Sequence, residues 1–577
     1  MQKTVWIILL LAGTVSLQAQ TLAGSDELGR VLLQNRETGD PRPGKHVALF
    51  YFLWQGDKSS PTSPLHWDLH EIYARHPEVM EDPGHPEWGG KKGSYYFWGQ
   101  PVYGYYRGDD DWVHLKNIQL LTDAGVDLLV IDATNRLTYP AQSEALMKAM
   151  DAVRAQGKHP PGIVFYTNTA SGEAMQEIYN NCYREGAPYY HPECWFYLDG
   201  KPLIIGIAKE AEGRDYRSFF TFRESQWPTE SQKVNGWPWI SFTRTPQVHY
   251  NERGEKEIIN VSVAQHPNPS AGMGGSAFYG NRDNWGRSYR NLSHGNPDTD
   301  MPYGYNFQEQ WDAALKEQTP FIFVTGWNEW IAGRWDSPDK NPKHSFFCDQ
   351  ASPEYSRDIE PTLTAGLKDH YYMQMVNNIR RYKGTAKNAV TVAEATVGSM
   401  SDWERIPSVY VDYTGDTQHR HHPGALSSPE TVLTNRTGRN DLHILKTAHD
   451  KKHLFFYAET VNDLTPASGD NLLRLYINSD RDHKTGRHGY DYRIVAGDKT
   501  LQRYEDGEWK PVKPVKCGIE KNRIMMTVAW KDMQVSHKNA NIEFKWSDNM
   551  QSDDPLDWYL NGDAAPGGRF NCVYGND

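Results

Sequence analysis

The sequence predicts an α/β fold in which a (β/α)8 TIM barrel is followed by an all-β sandwich domain. Three observations support this prediction. From His46 to about Gly384, short β-branched apolar runs alternate with amphipathic stretches, as in parallel α/β proteins. The apolar runs number about eight, which is the strand count of this type of barrel. After Gly384, short alternating runs separated by Asp, Gly, Asn and Pro are typical of a β-sandwich.

The predicted barrel strands are apolar runs that end in polar or aromatic residues. They span residues 46–54, 126–135, 162–169, 195–207, 219–227, 237–245, 257–266 and 321–330. Helices are predicted at residues 112–125, 170–183 and 307–318, where apolar residues recur at helical spacing. Chemistry in such barrels takes place at the C-terminal ends of the strands. The residues that end these runs are therefore the candidates for a functional site.

Composition divides the chain into four segments. Residues 1–19 carry one Lys ahead of an apolar run and then small residues, which predicts a secretory signal peptide. Residues 20–385 form the predicted barrel, residues 386–400 a linker, and residues 401–577 the sandwich. No later apolar run is long enough to span a membrane. We expect an exported protein, periplasmic or extracellular, without a transmembrane segment in the mature chain.

The charge and the aromatic content indicate the kind of partner. A net charge of −12 leaves no basic excess to neutralise phosphates, so nucleic acid and anionic membranes are not expected as partners. Aromatic residues make up 12% of the chain, and their flat faces stack on the CH faces of sugars. We therefore expect a carbohydrate substrate and a monomeric protein.

The cysteines suggest a structural role. The five cysteines are Cys182, Cys194, Cys348, Cys517 and Cys572; an oxidising compartment permits one or two disulfides, Cys182 with Cys194 or Cys517 with Cys572, and leaves a free thiol. The sequence contains no CxxC, HExxH or GxSxG motif. This lowers the expectation of zinc or serine hydrolase chemistry.

The stretch FIFVTGWNEWIAGRW contains the best candidate for a catalytic carboxylate. Glu329 follows an apolar strand and is flanked by Trp327, Asn328 and Trp330. Hydrolysis of a glycosidic bond uses two carboxyl groups, one to protonate the leaving oxygen and one to attack or stabilise the anomeric carbon. An apolar flank raises a carboxyl pKa toward a useful value. The alternative is that Glu329 pairs with an arginine such as Arg334.

Five other carboxylates are candidates for the second catalytic role: Asp132, Glu224, Glu354, Asp358 and Glu360. The first two end the second and fifth predicted strands, and the other three follow the last strand in PEYSRDIEP. Each also has a structural alternative. Glu224 has an arginine neighbour for an ion pair, and an acid-rich helix N-terminus is favoured by the helix dipole without catalysis.

A sugar-binding groove needs aromatic walls and a few polar groups. The candidates near the strand ends are Trp54, Tyr166, Asn168, Trp239, Arg244, His266, Trp327, Asn328 and Trp330. Some of the aromatic residues are expected to fill the core instead. For His266 the alternative to a base or a sugar ligand is a capped loop histidine.

The motif VTGWNEW resembles the WNEW motif of glycoside hydrolase family 99, the endo-α-mannosidases and endo-α-mannanases, and of its family 71-like relatives. The segments ALFYFLW, DDDWVHLKNIQLLTDAGVDLLVID and YLDGKPLI extend the resemblance over most of the barrel. It implies a catalytic role for Glu329. The family motif continues as WNEWxE, whereas this chain has Ala332 at the second glutamate position. The sequence around Glu360, IEP, resembles the IEP that follows the family motif.

The C-terminal region resembles family 9 carbohydrate-binding modules over nearly its whole length, through SDW, LRLYINSDRDHKTGRHGYDYRI and FKWSDN. In that fold a loop of the form INxDxDxxTG holds calcium, and Asp480, Asp482 and Asp491 would be its ligands here. The alternative is a turn rich in Asp and Gly without metal. Apart from this structural calcium, no cofactor is expected.

Together these features predict an exported glycoside hydrolase that cleaves a polysaccharide or glycan by carboxylate acid–base chemistry. The alternative is a non-catalytic glycan-binding protein that keeps the barrel groove and lacks the second carboxylate, as Ala332 suggests. A glycosyltransferase is a weaker alternative, because an exported protein lacks a nucleotide-sugar donor and the sequence has no nucleotide-binding signature.

Overall fold

The computed structural model describes residues 21–56, 67–267, 284–336, 345–347, 350, 352–427, 430–466 and 473–575. The predicted signal peptide, residues 1–19, and Cys348 lie outside these ranges. None of the helices in the described ranges is long and apolar enough to cross a membrane.

Eight mutually parallel strands form the centre of the N-terminal domain. They are β1 His46–Tyr51, β2 Leu128–Ala133, β3 Gly162–Thr167, β4 Lys201–Gly206, β5 Thr221–Gln226, β6 Gly236–Pro238, β7 Lys256–Ser262 and β8 Phe321–Thr325. Their spatial order is β6-β5-β4-β3-β2-β1-β8-β7, and an antiparallel strand, Val248–Tyr250, pairs with β7. The result is a nearly closed parallel sheet, consistent with a barrel that is open between β6 and β7.

Five long helices accompany these strands: α1 Asp111–Ala124, α2 Pro140–Arg154, α3 Ser171–Ile178, α4 Tyr305–Glu317 and α5 His370–Lys383. Helix α1 begins where the Asp110 carboxylate accepts a hydrogen bond from the Val113 amide, and it ends at Gly125 in the left-handed conformation (φ 81°). The connections from β4 to β5, β5 to β6 and β6 to β7 are fully described, and they contain no α-helix. The strand and helix alternation is therefore regular in the first half of the domain and at its end.

Short elements complete the N-terminal domain. The helices are Asn35–Thr38, Leu69–Arg75 and Pro297–Asp300, and the remaining strands are Tyr95–Phe97, Tyr197–Leu198, Ile331–Asp336 and Ser345–Phe347. The predicted strand at 195–207 is divided in two by the Asp199–Gly200 turn, where both residues have positive φ. The predicted strand at 237–245 is reduced to β6.

Strand register shows which side chains face the interior of the sheet. The Phe50 ring contacts Phe52, Tyr166, Trp239 and Phe323, which come from four parts of the ring of strands. Side chains alternate between the faces of a strand, so residues in register with Phe50 point inward. The interior is therefore a packed aromatic core and not an open channel.

The C-terminal domain consists of two packed antiparallel sheets. The first contains Val409–Val411, Leu442–His449, His453–Thr460, Arg523–Ala529 and Lys516–Glu520; the second contains Glu508–Pro514, Thr500–Glu505, Tyr492–Val495, Arg474–Asn478, Ile542–Asp548, Asp563–Ala565 and Cys572–Tyr574. Buried Leu, Ile, Phe and Trp residues from both sheets form the core between them. A separate hairpin, Arg420–Ser427 with Glu430–Asn435, and the short helix Asp557–Leu560 complete this domain.

The segment predicted as a linker, residues 386–400, packs on the sandwich. Val390 belongs to the sandwich core, and Ala393 and Val397 are buried in a second apolar cluster on the same domain. The amide of Ala395 also donates to the carbonyl of His449. These small apolar residues cover part of the sheet, and the domain boundaries themselves stay a prediction.

The two domains are joined by buried charged contacts. The Arg420 guanidinium binds the Asp110 carboxylate (2.7 Å) at the start of α1. The Arg569 guanidinium binds the Asp369 carboxylate (2.7 Å) just before α5, and the Tyr559 hydroxyl donates to the same oxygen (2.8 Å). Because breaking such a pair leaves a buried charge unpaired, these contacts fix the sandwich to the helical side of the barrel.

The predicted disulfides do not form. Cys182 is not bonded to Cys194, and Cys517 is not bonded to Cys572. The Cys194 thiol instead donates to the Met147 carbonyl and to the Asp151 carboxylate (3.2 Å). Cys572 is buried in the core of the sandwich, and Cys517 lies on a strand of the other sheet.

We predict that Arg569→Ala lowers the free energy of unfolding by about 3–5 kcal/mol, because it leaves the Asp369 carboxylate buried without its cation. Chemical denaturation followed by tryptophan fluorescence measures this change. Arg381→Ala is the matched control, since its partner Asp312 and Arg381 itself are about 40% exposed. The control is expected to cost less than about 1 kcal/mol. Equal losses in both variants would contradict the assigned role of the buried pair.

Candidate active site

The WNEW motif is hydrogen-bonded to the end of β1. The side-chain amide of Asn328 accepts from the Phe52 amide (2.9 Å) and donates to the Phe52 carbonyl (3.0 Å). The Trp327 amide donates to the Phe50 carbonyl (2.8 Å), although β8 has already ended at Thr325. Beyond Thr325, the side chain of Asn328 therefore supplies the hydrogen bonds to β1 that main-chain pairing with β8 supplies earlier along the strand. Glu329 is held at the C-terminal edge of the sheet, as the sequence predicted.

Glu329 forms a bidentate ion pair with Arg357. The Nε and Nη2 atoms of Arg357 donate to the two carboxylate oxygens of Glu329 at 2.9 and 2.8 Å. The side chain of Arg357 is fully buried and that of Glu329 is 3% exposed. Arg334, the partner that the sequence suggested, donates instead to the carbonyls of Pro83 and Gly90. Glu329 therefore does pair with an arginine, as the alternative in the sequence analysis has it, but the arginine is Arg357 and not Arg334.

Arg357 connects the ion pair to the rest of the strand ends. Its Nη1 atom lies 2.9 Å from Nε2 of His266, and its guanidinium lies 5.1 Å from the ring centroid of Trp239. The main chain on both sides of Asp358 pairs with Gly326, whose amide donates to the Arg357 carbonyl and whose carbonyl accepts from the Ile359 amide. The residues after β7 and β8 thus meet around one cation.

Asp132 lies on the other side of β1 at the same height. The register pairs Phe50 with Val130, so two residues further along Asp132 is level with Phe52 and faces the interior. It is 9% exposed, and one of its oxygens accepts the Thr134 amide (3.0 Å). Since Asn328 binds the main chain of Phe52, Asp132 and Glu329 flank the C-terminal end of β1.

Glu360 lies on the outer side of β1, away from the interior. Both of its oxygens accept the Tyr106 hydroxyl, at 2.9 and 3.0 Å. Asn117 of α1 also hydrogen-bonds the carboxyl, and α1 packs on the outer face of β1 through Tyr51. Burial, with the nearby Asp358 charge, raises the pKa of Glu360 well above its usual range. The surroundings of this carboxyl are those of a protonated core acid.

Asp358 and Glu354 are also enclosed by protein. Burial raises the pKa of each to about 7. The Asp358 carboxyl accepts the Glu360 amide (3.1 Å) and also a hydrogen bond from the Glu329 amide. The Glu354 carboxyl accepts the amide and the hydroxyl of Ser288. Through these hydrogen bonds both carboxyl groups hold together the loops that follow β7 and β8.

Glu224 faces away from the other carboxylates. In β5 the neighbouring Ser225 points inward, where its hydroxyl donates to Asn168 (2.8 Å), so Glu224 lies on the opposite face. Its carboxylate accepts the Ala208 amide (3.2 Å), and burial raises its pKa. Its neighbour Arg223 pairs with Glu257 (2.6 Å) and not with Glu224.

The predicted aromatic walls are mostly core. Tyr166, Trp327 and Trp330 are 0% exposed, whereas Trp54 and Trp239 retain 8% and 9%. The Tyr166 hydroxyl donates to the Trp237 carbonyl, and Trp330 packs among Phe97, Tyr105 and Tyr106. Of the aromatic candidates, only Trp54 and Trp239 reach the edge of the interior.

The two polar candidates beside this region have different partners. His266 is 4% exposed and contacts the Phe242 ring (4.8 Å) in addition to Arg357. Arg244 binds Asn306 and Glu309 and stacks on Tyr289 (4.9 Å). Burial lowers the pKa of Arg244. His266 is therefore part of the Glu329 cluster, and Arg244 belongs to a neighbouring network.

The acidic turn of the sandwich is held by its own hydrogen bonds. The Asp480 carboxylate accepts the Asp482 amide (2.9 Å), and Asp482 accepts the Lys484 amide (3.0 Å). Asp491 accepts the hydroxyls of Ser479 and Thr485. Among the described residues these carboxylates do not form a converging group of three metal ligands. The turn geometry explains this composition, and calcium here remains a prediction.

Two residues of this region, Arg357 and Tyr106, were not predicted from the sequence. Arg357 is the one basic residue of SRDIEP, beside the candidate acids Asp358 and Glu360. A cation next to two acids in a segment that follows the last strand is a signal for pairing with a strand-end carboxylate. Tyr106 gives no comparable signal, because its contact with Glu360 joins residues 254 positions apart.

Comparisons with solved structures find partial matches. The GH99 endo-alpha-mannosidase from Bacteriodes thetaiotaomicron, in complex with BIS-TRIS-Propane, is 14% identical and covers 58% of this chain and 97% of its own, with a TM-score of 0.35. A glycoside hydrolase-like protein is 11% identical over 61% of this chain and 100% of its own, with a TM-score of 0.33. No known protein family and no curated protein sequence matches the chain.

The other similar structures are carbohydrate-binding modules. A family 9 module from Caldicellulosiruptor kristjanssonii, in complex with glucose, is 8% identical and covers 32% of this chain and 83% of its own, with a TM-score of 0.16. The structural neighbours thus include both of the families that the sequence resembles, and each match is partial.

We predict that Arg357→Met destabilises the protein by about 3–5 kcal/mol, because Glu329 is left buried without its arginine. The double variant Arg357→Met/Glu329→Gln is expected to recover a large part of this loss, since no charge is then stranded. Unfolding free energies of the four proteins in a double-mutant cycle give the coupling energy. A coupling energy near zero would show that the pair does not stabilise the site.

We predict a pH-dependent effect for Glu354→Gln. The folded pKa of Glu354, about 7, is above its unfolded value, so wild type loses stability as pH rises from about 4.5 to 7. Glutamine keeps the acceptor for Ser288 and does not ionise. Relative to wild type, the variant should therefore gain about 1–3 kcal/mol between pH 5 and pH 8. Chemical denaturation at both pH values measures this gain, and a pH-independent difference would be the contrary result.

Proposed function

We propose that the protein is an exported glycoside hydrolase that cleaves a polysaccharide or glycan at the C-terminal edge of its parallel sheet. The observation that carries the proposal is the placement of Glu329 and Asp132 on the two sides of the end of β1. Strand ends are where barrel enzymes carry their chemistry, and two carboxylates are the groups that glycosidic hydrolysis needs.

The two carboxylates have different surroundings, which suits different roles. Arg357 donates to both oxygens of Glu329, an arrangement that suits a carboxylate acting as a nucleophile or a general base. Asp132 accepts the Thr134 amide from a nearly buried position at the end of β2, and we assign it the role of the general acid. Trp54 and Trp239 are the aromatic residues that remain at the edge to contact a sugar ring.

Several finer features belong to the same proposal. We propose that the eight strands form a (β/α)8-type barrel in which side chains close the gap between β6 and β7. Asn260 on β7 donates to the Trp239 carbonyl (2.8 Å), and Thr325 on β8 donates to the same carbonyl. We further propose that the sandwich is a carbohydrate-binding domain and that the protein is a monomer in the periplasm or outside the cell.

A second candidate function is non-catalytic glycan binding. The observation that favours it is that Arg357 occupies both oxygens of Glu329. In addition, Ala332 lies in the strand Ile331–Asp336, where it pairs with Tyr96, so the position after the motif supplies no acid. In this function the ion pair is purely structural, and the strand ends bind a glycan without cleaving it.

We predict that wild type releases products from at least one member of a glycan panel and that Glu329→Gln and Asp132→Asn each lower kcat/KM by at least about 100-fold. Product release is measured by chromatography. Glu224→Gln is the matched control, because this acid ends a strand on the opposite face and its variant should keep wild-type activity.

Binding measurements on the same panel separate the two functions. If wild type binds a glycan that it never cleaves, and Glu329→Gln binds it equally well, the hydrolase proposal fails and glycan binding is supported. If Asp132→Asn keeps full activity while Glu329→Gln loses it, the second carboxylate is not Asp132. Thermal unfolding of each variant confirms that it is folded.

A further inference from the structure

A small cavity lies between the barrel and the sandwich, away from Glu329. Its volume is about 30 Å³, enough for a water-sized group, and its walls include Tyr103, Tyr413 and Trp558. Four aspartates line it, one from α1 and three from the sandwich: Asp123, Asp412, Asp416 and Asp563. A fifth, Asp441, lies beside Asp416 and Asp563. Burying five carboxyl groups around one cavity is costly unless cations, protons or hydrogen-bond donors compensate them.

Three of these carboxylates converge on one point. One oxygen from each of Asp416, Asp441 and Asp563 lies within 4.8 Å of the other two. Calcium binds oxygen at about 2.3–2.6 Å, so two of its ligands on opposite sides are about 4.8 Å apart. The three oxygens are therefore close enough to bind one ion together.

Unpartnered oxygens point to a missing ligand. Oδ2 of Asp412, Oδ1 of Asp416 and Oδ1 of Asp441 have no hydrogen-bond partner among the described residues. These residues are 9%, 9% and 8% exposed, so water outside the protein does not solvate the three atoms. Asp412 is an independent observation, because it is not one of the three converging residues and yet lines the same cavity. Buried acceptors without donors are costly unless a cation or water binds them.

The nearby lysines do not supply the hydrogen bonds that these carboxylate oxygens lack. Lys116 lies 3.7 Å from Oδ2 of Asp416, the oxygen that is not orphaned. Lys158 donates to the Val411 carbonyl and Lys545 to the Pro566 carbonyl. Burial also lowers the pKa of Lys545 to about 7. Among the described residues, none of these amino groups forms a hydrogen bond with the unpartnered oxygens of Asp412, Asp416 and Asp441.

We propose that Asp416, Asp441 and Asp563, with Asp412 beside them, form a binding site for one Ca²⁺ ion at the interface between the barrel and the sandwich. All of the donors are carboxylate oxygens, which suit a hard cation and not zinc or copper. Water in the cavity supplies the remaining ligands. The loop with Asp412 and Asp416 also contacts α1, since the Tyr413 hydroxyl donates to Asp123 (2.9 Å), so the ion strengthens the junction of the domains.

The test compares wild type and Asp441→Asn/Asp563→Asn after removal of metal with EDTA. Calorimetric titration with CaCl2 should show one strong site in wild type, and saturation should raise its Tm by about 5 °C at about 100 times Kd. The double variant should lose at least about 100-fold in affinity and show no rise in Tm. Its Tm in EDTA should equal or exceed that of wild type, because the repulsion among the acids is reduced.

Asp480→Asn/Asp482→Asn is the matched control. It also removes two carboxylates of the sandwich, from the acidic turn, and it should keep the strong site and the rise in Tm. Loss of Ca²⁺ binding in this control and its retention in Asp441→Asn/Asp563→Asn would overturn the proposal and place calcium in the acidic turn. Calcium is used because His76, Glu78 and His85 form a separate, more exposed group whose imidazoles suit zinc.

A measurement that needs no change at the site covers the case in which Asp441→Asn/Asp563→Asn does not fold. In the Asp480→Asn/Asp482→Asn protein, Tb³⁺ bound at the proposed site should luminesce when Tyr413 and Trp558 are excited, and CaCl2 should abolish the signal. Absence of this luminescence, or of any Ca²⁺ binding to wild type at millimolar concentration, overturns the proposal. Neither result depends on glycosidase activity.

Discussion

The buried ion pair between Glu329 and Arg357 is the constraint on which the strand-end region depends. Removing two charges from water costs several kcal/mol for each ion, and only good geometry offsets this cost. Here the offset comes from two parallel hydrogen bonds and from the contacts of Arg357 with His266 and Trp239. The loops after β7 and β8 and the residue Trp239 after β6 must therefore occupy fixed positions together. A charged glutamate is stable at this place only with that arginine.

The segment SRDIEP carries this constraint into the neighbouring structure. Arg357 points to Glu329, the next acid Asp358 accepts main-chain amides, and Glu360 reaches the outer side of β1 to bind Tyr106. Main-chain pairing with Gly326 fixes the position of the segment, and its three ionisable side chains then lie in three different environments. Arg357 forms an ion pair, Asp358 caps a turn and Glu360 is a buried protonated acid, so the shared acidity of Asp358 and Glu360 does not indicate a shared role.

Much of this arrangement follows from sequence pattern, and the remainder depends on contacts that pattern does not contain. Apolar runs located all eight strands, although the predicted runs at 195–207, 237–245 and 321–330 extend well beyond the observed strands. The turn at Asp199–Gly200 and the cap at Gly125 reflect local chemistry. Alternation along β5 tells that Glu224 and Ser225 face opposite sides, but only pairing with neighbouring strands tells which side is inside. Glu329 pairs with Arg357 and not with Arg334 because of tertiary packing, which the sequence pattern does not show. The exclusion of disulfides rests on where the thiols are buried, which residue spacing does not reveal.

A buried carboxyl group needs a cation, a proton or hydrogen-bond donors to offset the loss of water, and the buried acids discussed above fall into three groups by this criterion. Glu329 and Asp369 each have an arginine at hydrogen-bond distance, and their charge is compensated locally. Glu360 is buried with a tyrosine donor and a raised pKa, so it is compensated by protonation. Asp412, Asp416 and Asp441, between the domains, each keep one oxygen without a donor in the described part of the chain. The carboxyl groups of the first two groups have their charge offset within the protein. Those of the third group keep unpartnered oxygens, which is why we propose that this group binds an ion from solution.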